Sequence, residues 1–197
     1  MGSCNSCPSK GTCGKDEQSC GIVNNPQNKI KNIIGVMSGK GGVGKSTMSV
    51  MIAKELAARG YQVGVLDADI TGPSIPRLFH IENERARGTE QLIYPVETAE
   101  GIKVMSLNLV VEKEDEAVIW RGPAITGIVN QFWTGVYWGE LDYLIIDMPP
   151  GTGDVPLTVF QSLPVDGIII VSSPQQLVRV IVEKAVNMAN MMKIPIL

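Results

Sequence analysis

The fold is decided by residues 33–47, which read IIGVMSGKGGVGKST. A short apolar run, residues 33–37, leads into a glycine-rich turn, and this turn leads into a stretch with helical spacing of apolar residues. The turn satisfies the pattern G-x-x-x-x-G-K-[ST] in the strand–loop–helix context that a phosphate-binding loop requires. The sequence therefore predicts a loop that wraps around the phosphates of a nucleotide.

The residue types in this loop each have a chemical reason. Glycines let the backbone take positive φ, and successive N–H groups then form an anion-binding nest at the N-terminus of the following helix. Lys45 is expected to bridge the β- and γ-phosphates, the Ser46 hydroxyl to ligate Mg²⁺, and Thr47 to contact the α-phosphate. The predicted nucleotide-binding set is Gly39, Lys40, Gly41, Gly42, Val43, Gly44, Lys45, Ser46 and Thr47.

Outside the loop, continuous apolar runs alternate with helix-like stretches. Runs that do not alternate polar and apolar residues are typical of strands buried on both faces of a parallel sheet. Such runs occur at residues 63–67, 143–147 and 167–172, and apolar residues recur at helical spacing over residues 45–59 and 175–192. We therefore expect an α/β fold with a doubly wound, mostly parallel sheet.

Two regions depart from this pattern. Between Glu82 and Glu116 the pattern weakens, and residues 91–96 and 103–107 could form a peripheral hairpin. The last four residues, 194–197, are typical of the opening of another strand, so the domain is expected to be incomplete at its C-terminus.

Acidic residues follow two of the predicted strands. Asp147 closes the run at 143–147, where a Walker B aspartate holds Mg²⁺ directly or through water. Asp69 is the candidate for orienting the attacking water and supporting Mg²⁺, whereas Asp67 is expected to shape the loop. Residues 148–154 form a stiff turn that could sense the γ-phosphate. Asp154 at its end fits either a helix N-cap or a catalytic role.

Length and charge exclude several classes of protein. The chain has 197 residues, which favours one domain with a short appendage. A net charge of −3 gives no electrostatic footprint for nucleic acid. No apolar run reaches the roughly 18 residues of a membrane span, and the N-terminus lacks a secretory signal. We expect a cytoplasmic protein with neither a nucleic-acid nor a membrane partner, whose tryptophans, Trp120, Trp133 and Trp138, pack at helix or dimer surfaces.

The cysteines are confined to the first 20 residues. Residues 1–28 show almost no apolar periodicity and are interpreted as a cysteine-rich, cluster-binding extension of a domain at 29–197. Clustered cysteines at short spacing favour metal or cluster ligation over a disulfide framework. An iron–sulfur cluster is the favoured ligand, while tetrahedral Zn²⁺ and free thiols remain alternatives. The four candidate thiolates are Cys4, Cys7, Cys13 and Cys20.

Lys40 is a second lysine at a position where the general pattern allows any residue. The resulting form, G-K-G-G-x-G-K-[ST], resembles the deviant Walker A loop of the MinD/ParA/nitrogenase-iron-protein group of P-loop ATPases. The resemblance implies that Lys40 reaches across a dimer interface and stabilises the charge of the transition state in the partner's site, as an arginine finger does. The expected catalytic residues are thus Lys40, Lys45 and Asp69.

Longer stretches are similar to one family within that group. The chain resembles the Mrp/ApbC family of iron–sulfur cluster carrier ATPases over about residues 31–197, through VMSGKGGVGKST, VGVLDADITGPSIPRLF, WRGP and WGELDYLIIDMPPGTGDVPLT. The resemblance implies a homodimer that uses ATP and Mg²⁺, hydrolyses ATP slowly, and assembles or transfers a [4Fe–4S] cluster to apo-proteins.

The chain also departs from that family. Members normally carry a C-x-x-C pair beyond the point that corresponds to Leu197. Some, chiefly the eukaryotic cytosolic type, add an N-terminal four-cysteine motif. Cys4-x₂-Cys7-x₅-Cys13 resembles the last three ligands of that motif, whereas Cys20 lies downstream instead of upstream.

Two other functions are alternatives. A spatial organiser of the MinD/ParA kind would need a C-terminal amphipathic helix or a basic surface. An electron-donating reductase similar to nitrogenase iron protein would need cysteines within the ATPase body, and residues 21–197 contain none.

Overall fold

A computed structural model describes residues 25–69, 72, 74–89, 92–110, 122–174 and 176–197. The strands in these ranges are β1 (Lys29–Ser38), β2 (Val63–Asp67), β3 (Arg87–Gly88), β4 (Ile93–Tyr94), β5 (Val96–Glu97), β6 (Lys103–Met105), β7 (Glu140–Asp147) and β8 (Gly167–Val171). The helices are α1 (Lys45–Ala58), α2 (Ile75–Leu78), α3 (Gly122–Thr134), α4 (Asp154–Ser162) and α5 (Gln176–Met191), with a 3-10 turn at Leu107–Leu109.

The main sheet has the order β5-β6-β2-β7-β1-β8 among the described strands. Strands β6, β2, β7, β1 and β8 pair in parallel, and β5 pairs antiparallel with β6 at the edge. In this register Asp147 lies opposite both Val36 and Asp67. The carboxyl ends of β1, β7 and β2 are therefore neighbours, which is where an open parallel sheet binds its ligands.

Helices cover both faces of the sheet, as the continuous apolar runs predicted. Ile145 of β7 packs in one cluster with Val50 and Ala53 of α1. Its neighbour Ile146 faces the other side and packs in a second cluster with side chains of α3, α4 and α5. Because successive side chains of a strand point to opposite faces, each residue of such a run meets a helix layer. The doubly wound α/β prediction is confirmed.

The tryptophan prediction is wrong for the described residues Trp133 and Trp138. Both belong to the core cluster, and the side chain of Trp138 is fully buried. Its indole Nε1–H donates to the carbonyl oxygen of Phe132 (3.4 Å), so the polar atom has a partner inside the core. Trp120 lies outside the described residues.

The expected hairpin exists in part, and it forms one edge of the main sheet instead of a separate unit. Val96 and Glu97 pair antiparallel with Val104 and Lys103, across a turn closed by Gly101 at φ 77. Strand β6 also pairs in parallel with β2 and so belongs to the main sheet. Its residues Val104 and Met105 are fully buried, which is typical of a strand inside a sheet. The residues at Ile93–Tyr94 pair instead with Arg87–Gly88 in a separate two-stranded sheet.

Helix ends and the last residues follow the sequence with one correction. Helix α1 ends at Ala58, and Gly60 after it has φ 89. Helix α4 begins at Asp154 with Gly153 at the N-cap position, so the N-cap interpretation of Asp154 is off by one residue. Ile196 forms a parallel bridge with Ile168, which is the strand-like pairing expected of residues 194–197.

The chain enters β1 through two buried or half-buried asparagines. Asn25 Nδ2 donates to the carbonyl oxygen of Thr134 (3.0 Å). Asn28 Nδ2 donates to the carbonyl oxygen of Val136 (2.8 Å), and its Oδ1 accepts from the amides of Trp138 (2.8 Å) and Gly139 (3.1 Å). These bonds tie the start of β1 to the connection between α3 and β7. This attachment lies at the edge of the sheet opposite the carboxyl ends.

Within the described residues, no helix is long and apolar enough to cross a membrane.

Candidate nucleotide-binding site

The glycine-rich loop connects the end of β1 to the start of α1. Gly42 (φ 76) and Gly44 (φ 90) take the left-handed conformation, and Gly44 forms the N-cap of α1. A Cβ at either position would meet nothing within 4 Å, so it is the backbone conformation that requires glycine there. The first N–H groups of a helix have no intrahelical partner, and those of α1 open toward this loop. The local fold is thus an anion-binding nest.

Ser38 fixes the near side of the loop. This last residue of β1 is almost fully buried, and its hydroxyl donates to the carbonyl oxygen of Lys40 (3.0 Å). Its own carbonyl oxygen accepts from the amide of Gly151 (2.8 Å), which has φ 92. The turn after β7 is therefore hydrogen-bonded to the start of the phosphate loop. This turn contains residues 148–154, the predicted γ-phosphate sensor, and a sensor has to lie beside that loop.

Asp147 is the centre of the polar cluster. Its side chain is 0% exposed, and its Oδ2 accepts from Lys45 Nζ (2.7 Å) and from Ser46 Oγ (2.6 Å). Its Oδ1 accepts from Ser49 Oγ (2.6 Å). Lys45 is itself 7% exposed, so the ion pair is shielded from water. Buried charges are stable only when paired and hydrogen-bonded in this way.

Two further aspartates come from the end of β2. Asp69 Oδ2 lies 4.0 Å from Lys45 Nζ, so the lysine lies between the carboxylates of Asp147 and Asp69. Asp67 is buried and accepts from Ser106 Oγ (3.1 Å) and from the amide of Asp69 (3.2 Å). Burial, and next the charge of Asp147, raise the pKa of Asp67 to about 8. Asp67 is therefore mostly protonated at neutral pH.

These residues fit a hydrated Mg²⁺ that is shared with phosphates. Within the part of the chain that the structure describes, no group of three or more His, Cys, Asp or Glu could hold a metal alone. Mg²⁺ is typically bound by one or two carboxylates together with substrate phosphates and waters. The Ser46 hydroxyl and the Asp147 carboxylate, 2.6 Å apart, are hard oxygen donors beside the phosphate nest, and Asp69 is a third.

The structure brings Lys45, Ser46, Asp69 and Asp147 together at one end of the sheet. Lys40 lies half-buried in the loop. Cys4, Cys7, Cys13 and Cys20 lie outside the described residues.

Sequence reasoning did not find two buried serines, Ser49 and Ser106, that donate to the aspartates. For Ser49 a signal existed. It follows Lys45 by four residues, so both lie on the same face of α1, and that face is the buried one.

Comparison with known proteins places the chain among relatives. Residues 29–197 match the ParA family, described as NUBPL iron-transfer P-loop NTPase. The iron-sulfur cluster carrier protein of Clostridium perfringens is 50% identical over 208 residues, covering 98% of this chain and 73% of the relative. That of Methanocaldococcus jannaschii is 46% identical over 201 residues, covering 100% of this chain and 69% of the relative. The chain spans about half the length of other curated relatives, such as 46% of that of Aquifex aeolicus.

Solved structures agree with the sequence relatives. A nucleotide-binding protein from Archaeoglobus fulgidus, in complex with ADP, is 47% identical with a TM-score of 0.74, covering 85% of this chain and 65% of that chain. The septum site-determining protein MinD of Pyrococcus horikoshii, complexed with Mg-ADP, has a TM-score of 0.64 at 18% identity, covering 86% of this chain and 68% of that chain, and shows the fold alone. Since the family match covers most of the chain and the relatives reach 50% identity, the chain belongs to the ParA/NUBPL family of iron-transfer P-loop NTPases.

Proposed function

We propose that this chain binds and hydrolyses ATP with Mg²⁺ and carries an iron–sulfur cluster that it assembles on itself or transfers to apo-proteins. One observation carries the nucleotide half of the proposal. Lys45, Ser46 and Asp147 are hydrogen-bonded to one another directly beside a loop whose glycines adopt positive φ. The cluster half is supported by the family and by the names of the curated relatives.

The existing contacts indicate how the phosphates would bind. Lys45 and Ser46 both donate to Asp147 Oδ2, so each has a charged partner. A β,γ-phosphate competes with Asp147 for Lys45, while the backbone N–H groups of the loop hold the phosphate oxygens. The Ser46 hydroxyl would give up its hydrogen bond to Asp147 and bind the cation instead. Asp147 keeps its bond from Ser49 throughout and so stays in place.

The proposed reaction is transfer of the γ-phosphoryl group to water without a covalent intermediate. Mg²⁺, when bound, neutralises charge on the phosphates. Asp69 lies at the carboxyl end of β2 with its side chain 13% exposed, which lets its carboxylate orient a water molecule from the solvent side. Lys45 stabilises negative charge as the bond to the leaving oxygen breaks. Lys40 would supply a second positive charge to the site of a partner copy in a homodimer.

Calorimetry tests the nucleotide half. We expect ATP with Mg²⁺ to release heat on binding to the chain and phosphate to appear slowly afterwards. The absence of binding heat at micromolar protein would contradict the proposal.

Anaerobic reconstitution tests the cluster half. The full chain is incubated with iron and sulfide, beside a variant in which serine replaces all of the chain's cysteines: Cys4, Cys7, Cys13 and Cys20. We expect the visible absorbance of a thiolate-ligated cluster from the native chain and none from the variant. Metal analysis of the purified chain separates iron from the zinc alternative. Equal absorbance from both proteins would remove the cysteines from the proposal.

A further inference from the structure

Ser49 is a buried polar residue that the phosphate-loop pattern does not explain. The pattern ends at Thr47, whereas Ser49 lies one turn into α1 with its side chain 0% exposed. Its hydroxyl oxygen lies 2.6 Å from Asp147 Oδ1, across 98 residues of sequence. The buried face of a helix ordinarily carries apolar residues such as leucine or alanine. A buried hydroxyl on this face therefore needs a hydrogen-bond partner.

A rival role for this hydroxyl is local. Serine in mid-helix commonly donates to the carbonyl four residues earlier, and Ser49 Oγ lies 3.2 Å from the carbonyl oxygen of Lys45. One hydroxyl has one hydrogen to donate. The shorter contact is to the charged acceptor, and 2.6 Å falls within the range of about 2.5–2.7 Å for hydrogen bonds from a hydroxyl to a carboxylate. The hydrogen therefore goes to Asp147.

The two oxygens of Asp147 consequently have different tasks. Oδ2 accepts from Lys45 and Ser46, the two side chains that phosphate and cation would take over. Oδ1 accepts from Ser49, which is not one of the predicted phosphate or cation ligands. Rotation of a carboxylate about its last side-chain bond is soft, so its plane has to be fixed by partners. Ser49 is the partner that remains when those on Oδ2 exchange.

We propose that Ser49 is a positioning residue that holds the Asp147 carboxylate so that Oδ2 faces Ser46 and the cation. This inference rests on the proposed function, because it takes Asp147 as the partner of the nucleotide-bound Mg²⁺. Groups that orient a metal's ligands typically contribute about 10–100-fold to metal affinity.

The test compares metal affinity in two matched variants of the full chain. Ser49→Ala removes the donor to Asp147. Ser106→Ala removes an equally buried serine that donates to the neighbouring side chain of Asp67. Mn²⁺ is titrated into each protein with bound ADP and followed by electron paramagnetic resonance, and ADP affinity is measured separately in EDTA. For Ser49→Ala we expect about tenfold weaker Mn²⁺ binding with ADP affinity in EDTA unchanged, and for Ser106→Ala no change in Mn²⁺ affinity.

The outcomes separate the inference from the proposed function. If the native chain binds neither ADP nor Mn²⁺, the proposed function is wrong, and the inference fails with it. A native chain that binds both, beside a Ser49→Ala variant within twofold of it in Mn²⁺ affinity, overturns the inference alone. The inference is also overturned if Ser49→Ala weakens ADP binding in EDTA as much as it weakens Mn²⁺ binding. It is likewise overturned if Ser106→Ala weakens Mn²⁺ binding as much as Ser49→Ala does. If Ser49→Ala does not fold, Ser49→Cys fills the site with a slightly larger side chain that is only a weak donor, and it is expected to show the same selective loss.

Discussion

At the scale of single residues, the most perturbed acid among the described groups is Asp67. It is enclosed by the sheet and by Ser106, and it shares the carboxyl end of β2 and β7 with Asp147. Removal from water disfavours its ionised form, and the negative charge of Asp147 disfavours it further. Its pKa is raised from 3.8 to about 8.

This raised pKa predicts a stability that falls as pH rises. An acid whose folded-state pKa is raised contributes stability that is fully present below its unfolded pKa and is lost as pH rises through the folded value. Between pH 5 and pH 8 we expect the free energy of unfolding, without nucleotide or divalent cation, to fall by about 2–4 kcal/mol, at about 1.4 kcal/mol per pKa unit. Asp67→Asn should abolish most of that fall. Urea titrations at both pH values measure it, and an equal pH dependence in the variant would show that other groups cause it.

The two lysines of the loop are predicted to differ in binding. Lys45→Ala should abolish hydrolysis and weaken ATP binding by at least about a hundredfold, because the lysine is the phosphate partner in its own site. Lys40→Ala should abolish hydrolysis while retaining nucleotide binding, since its charge is proposed to act on the other copy. Calorimetry with ATP and Mg²⁺, beside phosphate-release assays, measures both. Equal loss of binding in the two variants would refute the role across the interface.

Local chemistry decides how much of this site can be predicted from sequence. Lys45 and Ser46 are adjacent in a contiguous pattern, so phosphate chemistry fixes their residue types and spacing. Asp147 is recognisable because a carboxylate directly follows an apolar run. Ser106 carries no comparable signal, because its partner Asp67 is 39 residues away and only the pairing of β2 with β6 brings them together.

At the scale of elements, β2 is predicted to be intolerant of side chains at Gly64. A Cβ there would lie 2.7 Å from Leu141 Cδ1, 3.0 Å from Leu144 Cδ1 and 3.1 Å from the Trp138 ring. Gly64→Ala should therefore destabilise the protein by about 1–3 kcal/mol, the usual cost of overpacking a core.

Gly127 provides the matched control. It lies exposed in α3, and a Cβ there would meet nothing within 4 Å. Gly127→Ala should stabilise the helix by about 0.5–1 kcal/mol. Urea unfolding of both variants should move the midpoint in opposite directions. A Gly64→Ala midpoint equal to that of the native protein would mean that the core can shift at this point.

Elements with a clear apolar run or clear helical spacing were predicted well in this chain, and elements without such a signal were not. The run at 63–67 matches β2 from end to end, and the helical spacing at 45–59 and 175–192 matches α1 and α5 to within one residue at each end. The runs at 33–37 and 143–147 locate β1 and β7 but begin four and three residues late, because charged residues such as Lys29 and Glu140 occupy the first positions of these strands. Helix α3 was missed, because GPAITGIVNQFWT has two glycines and several β-branched and aromatic residues with weak helix propensity. Burial of its Val129, Phe132 and Trp133 against the sheet outweighs that weak propensity.

At the scale of the whole molecule, the sheet order explains why distant residues share one site. Strand β7 lies between β1 and β2, so Asp147 reaches both the phosphate loop and the aspartates of β2. The alternation of strands and helices predicts a doubly wound sheet, which places ligands at the carboxyl ends. It does not predict that β6 joins the main sheet, because that depends on tertiary burial of a three-residue strand.

The homodimer proposal predicts complementation between inactive variants. A Lys40→Ala copy retains Asp69 and lacks the lysine offered to its partner, while an Asp69→Ala copy has the opposite defect. Random mixing makes half of the dimers mixed, and each mixed dimer has one complete site, so we expect about a quarter of the native ATPase activity. Phosphate release from the mixture measures it. Activity no greater than that of the separate variants would exclude sharing of the site between copies.

The attachment of Asn25 and Asn28 has a consequence for the cargo. Strand β1 has ten residues, so about 33 Å separates its two ends. The chain that bears the thiols joins the domain at one end of this strand, and the triphosphate would bind at the other. The entry point of the N-terminal segment and the phosphate loop therefore lie at opposite ends of β1. Under the proposed function, ATP hydrolysis at one end of β1 would have to be transmitted along this strand to affect the segment that enters at the other end.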